Sequence, residues 1–257
     1  CFDEAVELVS IGRARVSVAI SDRDRRITAW HEAGHACLAL LLDDAADPVA
    51  VSIVPRGPAG GVTWMQGSDD KYMTTAQAEA QIAVMLGGRV AEEILLGGGC
   101  TQGASSDLEK ATELGSLLIS RFGMSERGLA VRANNDQRAH RTLDSLLDGI
   151  HRHATDVLTA NFALLEAIAE HLLANDRLDE QQLLELRDRH GLTPIKARRS
   201  SLRTPATQRS TEPAAVNPAR QPATRNGRSI TRYEPKAPTR RGRLARLASL
   251  WRRRRAI

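Results

Sequence analysis

Only three cysteines, at positions 1, 37 and 100, are spread through the 257 residues. They are too few and too scattered for a disulfide framework or a cysteine-rich zinc knuckle, and they fit a reducing compartment. Aromatic residues make up 3% of the chain against 42% for all apolar types, so a globular core must be built mainly from Leu, Ala, Val and Ile. No apolar run approaches the ~18–20 residues of a membrane span; the best candidate, ACLALLL, stops far short. No signal peptide is visible. A G-x-x-x-x-G-K-S/T phosphate loop is also missing, so this chain does not bind ATP by that route. The first residue is Cys1 rather than Met, which predicts a fragment or a processed piece of a longer protein.

What is present divides into two parts. Residues 196–257 carry 18 Lys or Arg against two acids, Glu212 and Glu234, a net +16. The first 195 residues hold the other 18 basic and 29 acidic side chains, a net −11. Six of the ten prolines also lie in the last 62 residues. An acidic, Leu/Ala-rich body therefore precedes a basic, Pro-rich tail whose composition predicts disorder.

Within the body, Phe2, Val6 and Val9 predict a short helix ending near Gly12. A second helix should start at Ser21, with Asp24 as its capping partner, and run to about Leu42. DPVAVSIVPRG and GGVTWMQ read as two short strands of a β-ribbon, separated by the turn signals of PRGPAGG. TTAQAEAQIAVMLGGRVAEEILL reads as helical with an interruption at Gly87 and Gly88, and GGGCTQGAS as a flexible loop. Another helix should begin at Ser106, with Glu109 completing a capping box and Gly123 as its stop. Residues 136–190 are Leu-rich with helical spacing, broken near Asn175–Asp176 and again at Gly191-Leu192-Thr193-Pro194.

The second of these helices contains HEAGH, residues 31–35. Positions i and i+4 share a helix face with Cβ atoms ~5–6 Å apart, so His31 and His35 can present two imidazoles to one ion. Glu32 lies about 100° round the axis, placed to take a proton from water and deliver it to a leaving amine. Ala33 and Gly34 are small, so other elements can approach closely. A buried helix with two histidines at this spacing also needs no metal, and the pattern by itself decides neither case.

Catalytic zinc takes three protein ligands and keeps one open position. A third histidine six residues past His35 would fall on Leu41, and Leu38 replaces the glycine of that pattern, so the metzincin arrangement is excluded. The remaining candidates are Glu92, Glu93, Asp107, His140, His151, His153, His171 and His190. Asp107 follows a Gly-containing loop that can bring it to the metal, although an acid at a helix start also suits the helix dipole. One of Glu92 and Glu93 can accept the second N–H of a ligating histidine, or both face solvent. His151 and His153 are two apart in a polar stretch and are expected on the surface.

ITAWHEAGHA, VSIVPRG, GGVTW, LGGRVAEEILLG, TQGASSDLEKAT and ISRFGMSE occur in the order seen in the FtsH-type ATP-dependent zinc metalloproteases, which the chain resembles over roughly residues 1–190. A weaker match, LLEAIAEHLLANDRLDEQQL, lies near the end of that stretch. The resemblance implies Asp107 as the third zinc ligand beside His31 and His35, Glu32 as the catalytic base and Glu92 as a group supporting the histidines. It implies that Gly61, Val62, Thr63 and Trp64 form the edge strand on which an unfolded polypeptide lies, held by backbone pairing with little sequence preference. It further implies one Zn2+ per chain, a homo-hexameric ring and a place on the cytoplasmic side of the cell membrane. An AAA+ ATPase module, absent from this chain, would feed the ring.

The expected organisation is a segment following the ATPase module (1–20), a zinc metallopeptidase domain (21–194) and a disordered Arg/Pro-rich tail (195–257). The expected fold is mainly α with a small β-ribbon. Two other readings compete: a catalytically inactive peptidase-like scaffold, and an adaptor acting through the basic tail. In RLARLASLWRRRRAI, Leu244, Leu247, Leu250 and Trp251 lie among arginines. That pattern suits an amphipathic helix on an anionic membrane surface and equally a nonspecific nucleic-acid contact; the resemblance to enzymes that work at membranes favours the first.

Overall fold

The computed structural model describes residues 21–55, 60–67, 70–124 and 137–190. The expected helix over 2–12, the break at 191–194 and the basic tail lie outside the described residues. The fold is mainly α: helices α1 (Asp22–Leu41), α2 (Thr75–Leu95), α3 (Ser105–Ser120), α4 (Gln137–Ala160), α5 (Phe162–Asn175) and α6 (Glu180–Arg189) are accompanied by a small sheet that packs against α1, α5 and α6. Its strands β1 (Pro48–Ser52), β2 (Val62–Met65) and β3 (Arg177–Asp179) lie in the order β2-β1-β3, both pairings antiparallel.

Helix α1 is the centre of the molecule. Ser21 caps it by accepting the Asp24 N–H at 3.1 Å, and Asp22 and Asp24 place negative charge on its first turn. From Ala29 to Leu41 every residue is buried, so the helix runs through the core rather than along its surface. It packs chiefly against α2 and α5. Leu38, Leu41, Ile82, Leu164, Leu165 and Ile168 are fully buried around it, each contributing ~1.5–3 kcal/mol of hydrophobic stabilisation. The core is aliphatic, as the composition requires. Within it Trp30 packs against Phe162, with ring centroids 5.8 Å apart.

Helix α2 begins in a capping box between Thr74 and Gln77 and runs unbroken through Gly87 and Gly88, against the expected interruption. These glycines serve α1 instead. A Cβ on Gly87 would sit 2.6 Å from the Gly34 carbonyl oxygen, and one on Gly34 would overlap the Gly87 carbonyl. The two helices thus cross backbone to backbone, which only glycine at both positions permits.

Helix α3 starts at Ser105, not beyond Ser106, and the expected Ser106–Glu109 capping box does not form. Its cap position is Ala104, fully buried, with no side-chain hydrogen bond. The stop is as expected: α3 ends at Ser120 and Gly123 takes φ 63°. The Leu-rich segment bends by 81° between α4 and α5. There Asn161 turns its side-chain amide back onto the Val157 carbonyl at 2.9 Å, a local competitor of the helical pattern. The second break is the expected one, with Asp176 in the left-handed region at φ 61°. It leads into β3, three residues long and too short to show alternation in the sequence. Among the described residues no single helix is long and apolar enough to cross a membrane.

Candidate metal centre

The histidines of α1 point at each other. His31 Nε2 and His35 Nε2 are 3.0 Å apart, and Asp107 Oδ2 approaches them at 3.2 and 3.4 Å. Asp107 is delivered by the third residue of α3, two positions deeper into that helix than a Ser106 cap would have placed it. Among the described residues, these three form the one group whose donor atoms converge as metal ligands do, all within 4.8 Å of one another.

The outer nitrogens define which inner atoms carry lone pairs. His35 Nδ1 lies 2.7 Å from the Val84 carbonyl oxygen, which can only accept, so Nδ1 holds the proton. His31 Nδ1 lies 2.9 Å from Glu92 Oε1, and Glu92 Oε2 accepts the Thr101 N–H at 2.7 Å. Both neutral imidazoles then aim an Nε2 lone pair at the other and at the Asp107 carboxylate. Three lone pairs so close repel unless a cation lies among them. The donor set, two imidazoles and a carboxylate with their outer nitrogens fixed, fits zinc.

Without metal the same attraction acts on protons. Burial opposes charge on His31, but hydrogen bonds to Asp107 and Glu92 overcome it and push its pKa up to about 10. Burial also raises Asp107, yet hydrogen bonds to His31 and His35 hold it well below the usual carboxylate range. Glu92 is likewise lowered, by His31 and the Thr101 amide acting against burial.

Glu32 is buried beside this cluster. Burial pushes its pKa up, opposed by the charges of His35 and His31 and by the Thr63 hydroxyl, which donates to Glu32 Oε2 at 2.8 Å. The expected substrate strand Gly61–Trp64 lies alongside. Within it, β2 is at the edge of the sheet, paired through Val62↔Ser52, Thr63↔Val51 and Trp64↔Ala50. A cavity of about 510 Å³ opens at the far end of β2, lined by Met65, Gln66, Met73 and Val84.

Glycine shapes the site as well as the crossing. A Cβ on Gly88 would overlap the His31 imidazole, so the second glycine of the pair clears the ring. The sequence carried a signal for this, since two adjacent glycines in an otherwise helical stretch usually have a packing reason.

Of the other candidates, Glu93 and His151 are not on the surface. Both are buried, with His151 Nε2 3.2 Å from Glu93 Oε2 and Arg89 Nε 2.9 Å from Glu93 Oε1. Glu92 and Glu93, about 100° apart round α2, thus face different neighbours: Glu92 meets His31 and Glu93 meets α4. His151 was expected on the surface from its polar neighbours Arg152 and His153, but it faces the core side of α4 with Ile150 and Ala154. His140 and His190 are exposed, and His153 and His171 are partly buried; none of them joins the cluster. Of the thiols, Cys37 is buried and Cys100 is exposed on the loop that leads to Asp107.

The sequence model of peptidase family M41 matches residues 18–186. The ATP-dependent zinc metalloprotease FtsH of Bacillus subtilis strain 168 is 36% identical over 215 residues, covering 75% of this chain and 33% of that protein. FtsH of Magnetococcus marinus is 33% identical over 208 residues, covering 72% and 31%. FtsH 2 of Sphaerobacter thermophilus is 38% identical over 193 residues, covering 70% and 29%. The chain thus spans about a third of the length of the curated relatives it matches. Because the matched region takes in α1, α2 and α3 together, and with them the whole histidine–carboxylate cluster, the chain belongs to peptidase family M41.

Proposed function

We propose that this chain is the peptidase domain of a zinc-dependent endopeptidase that cuts unfolded or membrane-derived polypeptides. His31, His35 and Asp107 are the zinc ligands, and Glu92 fixes the His31 ring through Nδ1. The observation that carries this reading is the convergence of two Nε2 atoms and a carboxylate oxygen within 3.4 Å, with both outer nitrogens held by acceptors. Zinc bound there supplies a Lewis acid that polarises the scissile carbonyl and acidifies water to a pKa near ~7.

The chain's own groups do the rest. Glu32, its basicity raised by burial, takes a proton from the attacking water and returns it to the leaving nitrogen. Strand β2 offers the substrate backbone an edge beside Glu32, and pairing of that kind holds a polypeptide with little regard to its side chains. The same reading places the domain in a homo-hexameric ring fed by an AAA+ ATPase at the cytoplasmic face of a membrane; the relatives' names support the dependence on ATP. The basic tail then serves as a contact for an anionic membrane surface.

Zinc content and casein cleavage of three forms test the assignment. The wild type should hold about one zinc per chain, as a single three-ligand site requires. Asp107→Ala should lose most of it, whereas Glu32→Gln should keep its zinc and lose cleavage. Full zinc occupancy in Asp107→Ala would remove Asp107 from the ligand set.

A further inference from the structure

Resting on the proposed reading of the site, we propose that Thr63 is a positioning residue for Glu32, and that Gly61 and Thr63 form a cradle for its carboxylate. Residues two apart on a strand share a face, so Gly61 and Thr63 both look toward α1 from the end of the sheet. The Thr63 hydroxyl donates to Glu32 Oε2 at 2.8 Å and lies 3.4 Å from the Glu32 carbonyl oxygen. A Cβ on Gly61 would come within 2.7 Å of Glu32 Oε1 and 2.8 Å of its Cγ. One carboxylate oxygen is therefore hydrogen-bonded by Thr63 of β2, and the other occupies the space that a side chain on Gly61, just before β2, would fill.

A glutamate has three side-chain torsions, and nothing on α1 itself holds the last two. His31 and His35 are committed to each other, to Asp107, and to Glu92 and the Val84 carbonyl. The strand supplies the missing constraint. Thr63 fits this task by type: its branched side chain has few rotamers, and its hydroxyl can donate to a carboxylate while accepting elsewhere. Trp64, next along the strand, faces the other way and stacks with Arg177 of β3 at 5.8 Å, which fixes the orientation of the strand about its own axis. The strand that receives the substrate backbone in the proposed function is thereby also the strand that aims the base. Their separation is set by one element instead of two.

The test uses the full zinc-loaded chain and a fluorogenic peptide, with Thr63→Val removing the hydroxyl at nearly constant shape and Thr63→Ser keeping it. Thr63→Val should lower kcat ~10–100-fold, the effect of a base misplaced by about an ångström, with KM and zinc content little changed. Thr63→Ser should recover most of kcat. Equal impairment of both variants, or none in Thr63→Val, overturns the proposal, because a packing role moves both and an idle hydroxyl moves neither.

A second measurement needs no catalysis. Thr63→Val should lower the thermal midpoint by about 3–6 °C when Glu32 is present and by less than about 1 °C in a Glu32→Ala background. Equal shifts in the two backgrounds overturn the Thr63–Glu32 tie alone. A wild type that binds zinc but cleaves no peptide overturns the proposed function itself.

Discussion

Two buried histidine–glutamate contacts stand on consecutive residues of α2, and they do different things. Glu92 meets His31 through Nδ1, so the other ring nitrogen is turned to His35 and Asp107. Glu93 meets His151 through Nε2 and shares its carboxylate with Arg89. The residue types and burial are alike; the nitrogen engaged and what lies beyond it are not. Donors converge as metal ligands do where the acid takes the outer nitrogen and leaves the inner one facing further donors. Where the acid takes Nε2 beside an arginine, the pair links α2 to α4.

That contrast breaks most visibly at Glu93. Glu93→Ala leaves Arg89 and His151 without their shared carboxylate and should cost about 3 kcal/mol, read as a lower denaturation midpoint, with zinc content of the folded protein unchanged. Loss of zinc from folded Glu93→Ala would mean the two contacts are one network. Glu92→Gln should do the reverse, weakening zinc binding ~10–100-fold in a competition titration with a smaller loss of stability.

A third test lies in the pH dependence of the chelated protein. His31 is raised from 6.5 to about 10, so its contribution is full below pH 6.5 and is lost as pH rises toward 10. Asp107 is lowered from its ordinary 3.8, so its contribution is present above that value and is lost in acid. Chelated protein should therefore lose stability between pH 7 and 10, followed by thermal midpoint. Asp107→Asn should flatten that loss, and zinc, which replaces the proton, should abolish it. A chelated protein equally stable at pH 7 and pH 10 would contradict this assignment.

Much of this was legible in the sequence because it depends on local chemistry. Ser21 and the HEAGH spacing place the start of α1 and its two imidazoles, and the Pro/Gly signals place the ribbon. What was not legible depends on who the neighbour is. Gly87 and Gly88 read as a helix break, since mid-helix glycine is unfavourable by itself; their reason is a second helix and an imidazole, which only tertiary contact reveals. Asn161 carries no stronger local signal than Asn175, and its amide makes the same bond to the carbonyl four residues back, yet the chain turns by 81° there between two helices. His151 sits between polar residues in sequence but on the apolar stripe of α4 in space. Asp107 was one of eight candidates on residue type and loop position, and the resemblance singled it out. In the fold it lies 3.2 and 3.4 Å from the Nε2 atoms of His31 and His35, a contact between α3 and α1 that no local pattern encodes.

The Gly34–Gly87 crossing carries a consequence for anyone reworking this centre. Most helix pairs meet through side chains, whose rotamers absorb a changed residue by small rearrangements. Here the contact is main chain on main chain, with the His31 ring over Gly88 one residue further on. There is no compliant layer at that crossing, so the distance from the histidine helix to Glu92 and the Val84 carbonyl, which hold the outer ring nitrogens, is a property of the polypeptide backbone itself. One methyl group, the least that chemistry can add, already exceeds the tolerance of the joint.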